Sequence, residues 1–160
     1  ELMTENGLLT EQGSSTFWDR STLYALRGIY IAGQADRATE FLSHYARRRL
    51  LGDHVPYPIE AWPEGSQRHL AAESGLFCRV ITEGLFGIRP TGFRSFDLTP
   101  SMPSGWNRMA LRHIRAFENN FDLVIEKQPD GFLRVTLAIS GRNPRAFRLR
   151  QGASLRIKLP

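Results

Sequence analysis

Thr82-Glu83-Gly84-Leu85-Phe86-Gly87-Ile88-Arg89-Pro90-Thr91-Gly92 is the stretch in which the hydrophobic period of this chain changes. Residues 15–88 place apolar side chains at helical spacing. Residues 93–160 place them at every second position, in short runs separated by turns. The chain therefore divides near Pro90 into a helical part and a strand part, an α+β organisation. The expected domains are residues 1–92 and 93–160.

On the amino-terminal side the spacing predicts three helices. The first covers residues 17–32, with Gly33 as its stop. Phe17, Trp18, Leu23, Tyr24, Leu26, Ile29, Tyr30 and Ile31 fall on nearly all of its sides, the pattern of a buried helix. The second covers residues 35–51. Ala38, Phe41, Leu42, Tyr45 and Leu50 form one face, while Asp36, Arg37, Glu40, Arg47 and Arg48 form a solvated one. The third covers residues 66–86 and is mostly buried, with Cys78 in its core. Gly28, Gly75 and Gly84 lie inside the two buried helices, where close helix packing would offset their cost of about 1 kcal/mol each. A buried–surface–buried order is how alternating inner and outer helices of a two-layered barrel read.

On the carboxyl-terminal side the alternation predicts strands at 94–99, 109–117, 120–127, 133–140, 145–150 and 154–159. Pro103-Ser104-Gly105, Glu118-Asn119, Pro129-Asp130-Gly131, Gly141-Arg142-Asn143-Pro144 and Gln151-Gly152 mark the turns. Short strands so spaced predict an antiparallel β-sandwich.

Composition bounds the rest. The chain has 160 residues and is 41% hydrophobic and 23% charged, which excludes a disordered tail or a coiled coil. No apolar run is long enough to span a bilayer. The single cysteine, Cys78, excludes an internal disulfide. Net charge is +5 and the pI about 10. The basic residues form no block beyond Arg47-Arg48-Arg49 and do not alternate with aromatics, so no nucleic-acid partner is expected. The chain begins Glu1-Leu2-Met3 and reads as a piece of something longer.

Between the second and third helices runs Asp53-His54-Val55-Pro56-Tyr57-Pro58-Ile59-Glu60-Ala61-Trp62-Pro63-Glu64-Gly65. Its prolines forbid helix and stiffen the path. Glu60 is a carboxylate in this braced loop, and Trp62 beside it offers an apolar neighbour and a plate for a sugar ring. Glu64 is a second carboxylate, and sugar hydrolysis needs two. The plain alternative is that both are solvated loop residues. His69 opens the third helix, as a hydrogen-bonded structural residue or as a contact to a substrate hydroxyl. Glu73 falls on the apolar stripe and must be paired or protonated, with Arg68, Arg79 or His69 as partner. Trp18 and Asp19 open the first helix; Asp19 either complements the helix dipole or accepts sugar hydroxyls beside a stacking Trp18. There is no metal-ligand spacing, phosphate loop or dinucleotide motif, so neither metal nor cofactor is expected.

Three segments together resemble the carboxyl-terminal part of six-hairpin glycosidases, the (α/α)6-barrel glycoside hydrolases, and within them the α-L-rhamnosidase-like group. They are Pro58-Ile59-Glu60-Ala61-Trp62-Pro63-Glu64-Gly65, Ser66-Gln67-Arg68-His69-Leu70-Ala71-Ala72-Glu73-Ser74-Gly75, and Thr82 to Pro90. Leu98-Thr99-Pro100-Ser101-Met102-Pro103-Ser104-Gly105-Trp106 is similar to the P-x-(L/M)-P-x-G-W approach to their β-sandwich. Arg68 stands where the rhamnosidase pattern has Asn, and Glu73 where small or aromatic residues are commoner.

The resemblance implies the last helices of an (α/α)6 barrel followed by a β-sandwich. It implies inverting hydrolysis of a glycosidic bond, with Glu60 as general base and Glu64 the alternative. Trp18, Asp19, Trp62, Arg68 and His69 would hold a carbohydrate substrate. The general acid and the remainder of the barrel would lie outside this chain, which alone would expose the faces of its two buried helices. A periplasmic or secreted address follows from the same likeness. The alternatives are part of a glycoside phosphorylase, or a non-catalytic carbohydrate-binding or bracing module.

Overall fold

The computed structural model describes residues 2–4, 7–9, 11–51, 57–62 and 71–160. It is a mixed α+β chain with three α-helices and several antiparallel sheets. It forms two compact units, Glu1–Leu85 and Phe86–Pro160.

In the first unit, β1 (Met3–Thr4) and β2 (Gly7–Leu8) form a short antiparallel pair. β3 (Phe17–Trp18) leads directly into α1 (Asp19–Ile31), and α2 (Ala35–Arg49) follows after a tight turn. β4 (Ala61–Trp62) returns to pair with β3, and α3 (Ala71–Arg79) runs into a six-residue π-helical segment, Val80–Leu85. α1 buries Leu23, Leu26 and Tyr30, three or four residues apart, against its neighbours. Its other side is open, with Tyr24 47% and Ile31 55% exposed, so α1 is not enclosed all round as its composition suggests. Tyr30 is fully buried and its hydroxyl shares a hydrogen bond with Thr39 of α2 at 2.8 Å, tying the two helices together.

The third helix departs from a uniform 66–86 helix. Its first expected turn, residues 66–70, lies outside the described residues. Beyond Arg79 the winding loosens, and Val80, Gly84 and Leu85 share the buried side, the spacing a π-helical turn allows. Gly84 is there because a Cβ would come within 3.1 Å of the Tyr30 ring and 3.4 Å of the Arg27 backbone. Gly28 and Gly75 have open space where a Cβ would go, so close packing explains only Gly84. Cys78 is exposed rather than part of the core.

The second unit holds two antiparallel sheets. β5 (Ile88–Gly92), β6 (Ser95–Leu98) and β11 (Leu155–Lys158) form one, in the order β11-β6-β5. β7 (Arg108–Ala116), β8 (Asn119–Lys127), β9 (Phe132–Ile139) and β10 (Arg145–Arg150) form a four-stranded meander. Strand β5 was not expected, because Pro90 and Gly92 read as breakers. β5 is an edge strand, and a proline there removes no ladder bond that the sheet needs.

Alternation sets the core. Phe121, Leu123 and Ile125 of β8 and Leu133, Val135, Leu137 and Ile139 of β9 are buried, with half-exposed or polar residues between them. Phe96 of β6 stacks on Phe117 and Phe121 at 5.7 and 6.0 Å, so both sheets contribute to one core. The β7–β8 turn uses Phe117 and Glu118, both at positive φ, and the half-buried Phe117 ring stacks on buried Phe96, which offsets part of that backbone cost. Gly87 is at φ +65° and a Cβ there would lie 1.9 Å from the carbonyl oxygen of Thr99. Only glycine lets its own carbonyl accept the Thr99 N–H at 3.0 Å.

Candidate functional site

The β3–β4 pair joins two segments far apart in sequence. Phe17 lies opposite Trp62 and Trp18 opposite Ala61. The backbone N–H of Asp19 extends this ladder to the carbonyl of Glu60 at 3.0 Å. The start of α1 and the Glu60 loop are thus one construction, and Trp18, Asp19, Glu60 and Trp62 come together. Glu64, Arg68 and His69, and also His54, lie outside the described residues.

Asp19 is 1% exposed and turned inward. One carboxylate oxygen accepts Arg49 Nε at 3.1 Å; the other accepts the N–H of Ile59 at 3.0 Å. Burial pushes its carboxyl above the ordinary value, against the pull of Ile59 N–H and Arg49. Buried Tyr45 faces the same carboxylate outside hydrogen-bond geometry, and its phenol is driven upward by burial and by that charge. With both oxygens taken from inside, Asp19 braces the loop; it does not present its carboxylate to sugar hydroxyls.

Arg49 is 2% exposed and its guanidinium lies 4.5 Å from the centroid of the Trp62 ring. Phe17 contacts the same indole, with ring centroids 5.8 Å apart. Trp62 is therefore a half-buried plate held in place by a cation and a second ring. The apolar pattern of α2 ends its buried face at Leu50, which is only half-buried. Stepping four residues on from buried Tyr45 reaches Arg49 instead, the signal that would have found it.

Glu60 follows buried Pro58 and Ile59, and its own side chain is 41% exposed. Arg20 approaches it at 3.8 Å. The same guanidinium grips Glu73 Oε1 at 2.7 Å. Glu73 is completely buried, and among the described residues its partner is Arg20, not Arg79; Arg68 and His69 lie outside those residues. Arg79 pairs with Glu83 at 2.6 Å, and Arg27 reaches Glu83 at 2.8 Å. The second Glu73 oxygen is buried and has no hydrogen-bond partner among the described residues. Arg20 thus links a buried carboxylate to an accessible one, giving Glu60 a fixed positive neighbour.

Among the described residues no group of three His, Cys, Asp or Glu is arranged to hold a metal ion. A shallow cavity of about 330 Å³ lies in the second unit at the β7 bulge, lined by His113, Asn120, Asp122 and Ser140 among others. There Asp122 accepts the His113 N–H at 2.8 Å, which stabilises the bulge. No helix of the described residues is long and apolar enough to cross a membrane. Comparison with family models, curated proteins and solved structures gives no match for the chain.

Proposed function

We propose that this chain is the carboxyl-terminal part of a glycoside hydrolase of the six-hairpin type, similar to the α-L-rhamnosidase-like group. Its first unit supplies the last barrel helices, and its second is the closing β-sandwich. Glu60 takes the proton from the water that attacks the anomeric carbon. The general acid comes from the remainder of the barrel.

The observation that carries this reading is the setting of Glu60. Its carboxylate is open to solvent, while its backbone is pinned by Asp19 and its flank is anchored by buried Ile59. A base must be reachable by water and held in one place, and those are the two properties present. Trp62 supplies an aromatic surface beside Glu60.

The outward faces of the helices support the same reading. α2 exposes Asp36, Arg37, Glu40, Arg47 and Arg48, a face for water. α1 exposes Tyr24, Gly28 and Ile31, and α3 exposes Ala71, Ala72, Gly75 and Cys78. Apart from Arg79 at the end of α3 and the half-exposed Arg20 of α1, these faces are uncharged, which suits helices that further barrel helices would cover.

The test is Glu60→Gln in the full-length parent. Turnover should fall by about 10²–10⁴-fold with substrate binding nearly unchanged. Unchanged turnover would move the base to Glu64.

A further inference from the structure

Strand β7 carries a bulge opposite β8. Leu111 pairs with Leu123 and Ile114 with Phe121, so Arg112 and His113 together oppose the single residue Asp122. His113 is at φ +57°, in the left-handed region where glycine sits without strain. Glycine would hold the same bulge; what histidine adds is an imidazole. A side chain kept on strained backbone points to a use for that side chain.

His113 lines the cavity of about 330 Å³ at this bulge. The alternation of the sheet explains why a hollow forms there. Phe121 and Ile139 are buried, so Asn120, Asp122, Ala138 and Ser140 lie on the outward face. Ala138 stands opposite Asp122, and the Ser140 N–H donates to the Asn120 carbonyl at 2.9 Å. Ala138 places only a methyl group between the polar residues. β10 begins opposite Leu137, so among the described residues no strand flanks β9 beyond that point. The result is a hollow with an apolar floor and polar walls, within the unit Phe86–Pro160.

The lining narrows the ligand. One oxygen of Asp122 accepts the His113 backbone N–H at 2.8 Å, and the other faces Arg112 Nη1 at 3.4 Å. Asp122 is thus compensated, and the walls present no spare charge for a cation and no open row of cations for an anion. Among the described residues, the side chains of His113, Asn120 and Ser140 make no hydrogen bond to another residue. An amide, a hydroxyl and an imidazole can each donate and accept. Neighbouring hydroxyls on a sugar ring do both as well, and the C–H surface of the ring suits a methyl floor. A volume at the lower end of the about 300–1,000 Å³ of ligand pockets fits a ligand of that size.

We infer that the hollow at the β7 bulge binds a neutral monosaccharide unit, with His113, Asn120 and Ser140 bonding its hydroxyls over Ala138. The ligand class is read from the lining of the hollow and does not depend on the role of Glu60.

The experiment titrates the full 160-residue chain, labelled with ¹⁵N, with glucose, galactose, mannose and xylose in turn, beside inorganic phosphate and cyclohexanol. Backbone amide shifts at His113, Asn120, Asp122 and Ser140 should saturate with at least one of the sugars, and the affinity should not change with added salt. Phosphate and cyclohexanol should move none of them. Ala138→Leu, which fills the hollow from its floor, should weaken sugar binding about tenfold or more. His113→Gly, which suits the backbone there, should weaken it about tenfold with the fold kept. Thr136→Val, two residues along the same face of β9, should leave it unchanged. The amide spectra of the variants verify that each is folded. No saturable shift with any of the four sugars, shifts centred elsewhere, tighter binding of phosphate or cyclohexanol, or full sugar binding by folded Ala138→Leu or His113→Gly overturns the inference.

Discussion

The backbone N–H of Asp19 donates to the carbonyl oxygen of Glu60 at 3.0 Å, and the Asp19 side chain accepts the N–H of Ile59 immediately before it. One buried residue thus grips the loop on both sides of the Ile59–Glu60 peptide. Its carboxylate in turn is fixed by Arg49, which underlies Trp62.

Asp19→Ala leaves both the buried Arg49 guanidinium and the Ile59 N–H without their acceptor. It should destabilise the unit Glu1–Leu85 by roughly 3–5 kcal/mol, read as a lower urea midpoint. Glu60→Gln, on a half-exposed side chain, should shift the same midpoint by no more than about 0.5 kcal/mol. Equal effects would mean that Asp19 is not the brace.

Arg20 and Glu73 should behave asymmetrically. Arg20→Ala leaves a buried carboxylate uncompensated, whereas Glu73→Leu removes the buried charge itself. Melting temperatures should rank Arg20→Ala below Glu73→Leu, and the double variant above Arg20→Ala. The reverse ranking would show that Arg20 is not what compensates the buried Glu73.

Gly87→Ala places a Cβ against the Thr99 carbonyl at positive φ. The unit Phe86–Pro160 should lose about 2 kcal/mol or more, seen in its denaturant unfolding. A neutral effect would mean that the Gly87–Thr99 contact is not formed.

Acid should weaken the unit Phe86–Pro160. The Arg156 hydrogen bond holds the Asp97 carboxyl below its ordinary value of 3.8, and the Phe132 N–H followed by Arg148 does the same for Asp130. With folded values lower than unfolded ones, their stabilisation is present above 3.8 and is lost as pH falls through the lowered values. Asp19 is raised, so its contribution has the opposite sign: it is present at acid pH and lost as pH rises through the window above 3.8. Melting from neutral to about pH 2.5 should show a smaller acid loss for Asp97→Asn with Asp130→Asn than for the parent chain.

Cys78 should react fully with a thiol reagent in the folded chain, because it is exposed. The exposed Tyr24 and Ile31 should bind an apolar dye, and Tyr24→Ser with Ile31→Ser should reduce the dye signal. A slow thiol and no dye signal would mean that these helix faces are covered in the isolated chain.

Much of the architecture was legible in the residues. β10 runs from Arg145 to Arg150, as its alternation predicts, and Gly33 follows the end of α1. β5 was hidden by Pro90 and Gly92, residues that are excluded from sheet centres but tolerated at an edge. The burial of Arg49 was hidden by its place in a run of three arginines, two of which face solvent. Glu73 on the apolar stripe needs a partner, and the one it finds, Arg20, lies 53 residues away.

The order of the three helices and the strands β6 to β11 followed from the sequence by itself, because period and turn chemistry act over a few residues. Which charges are buried, and against what, was decided only by the tertiary structure. Asp19 meets Arg49 across 30 residues, Arg20 meets Glu73 across 53, and Arg145 reaches Lys158 across two different sheets. Such pairings depend on where the chain crosses itself, and local propensity carries no record of that.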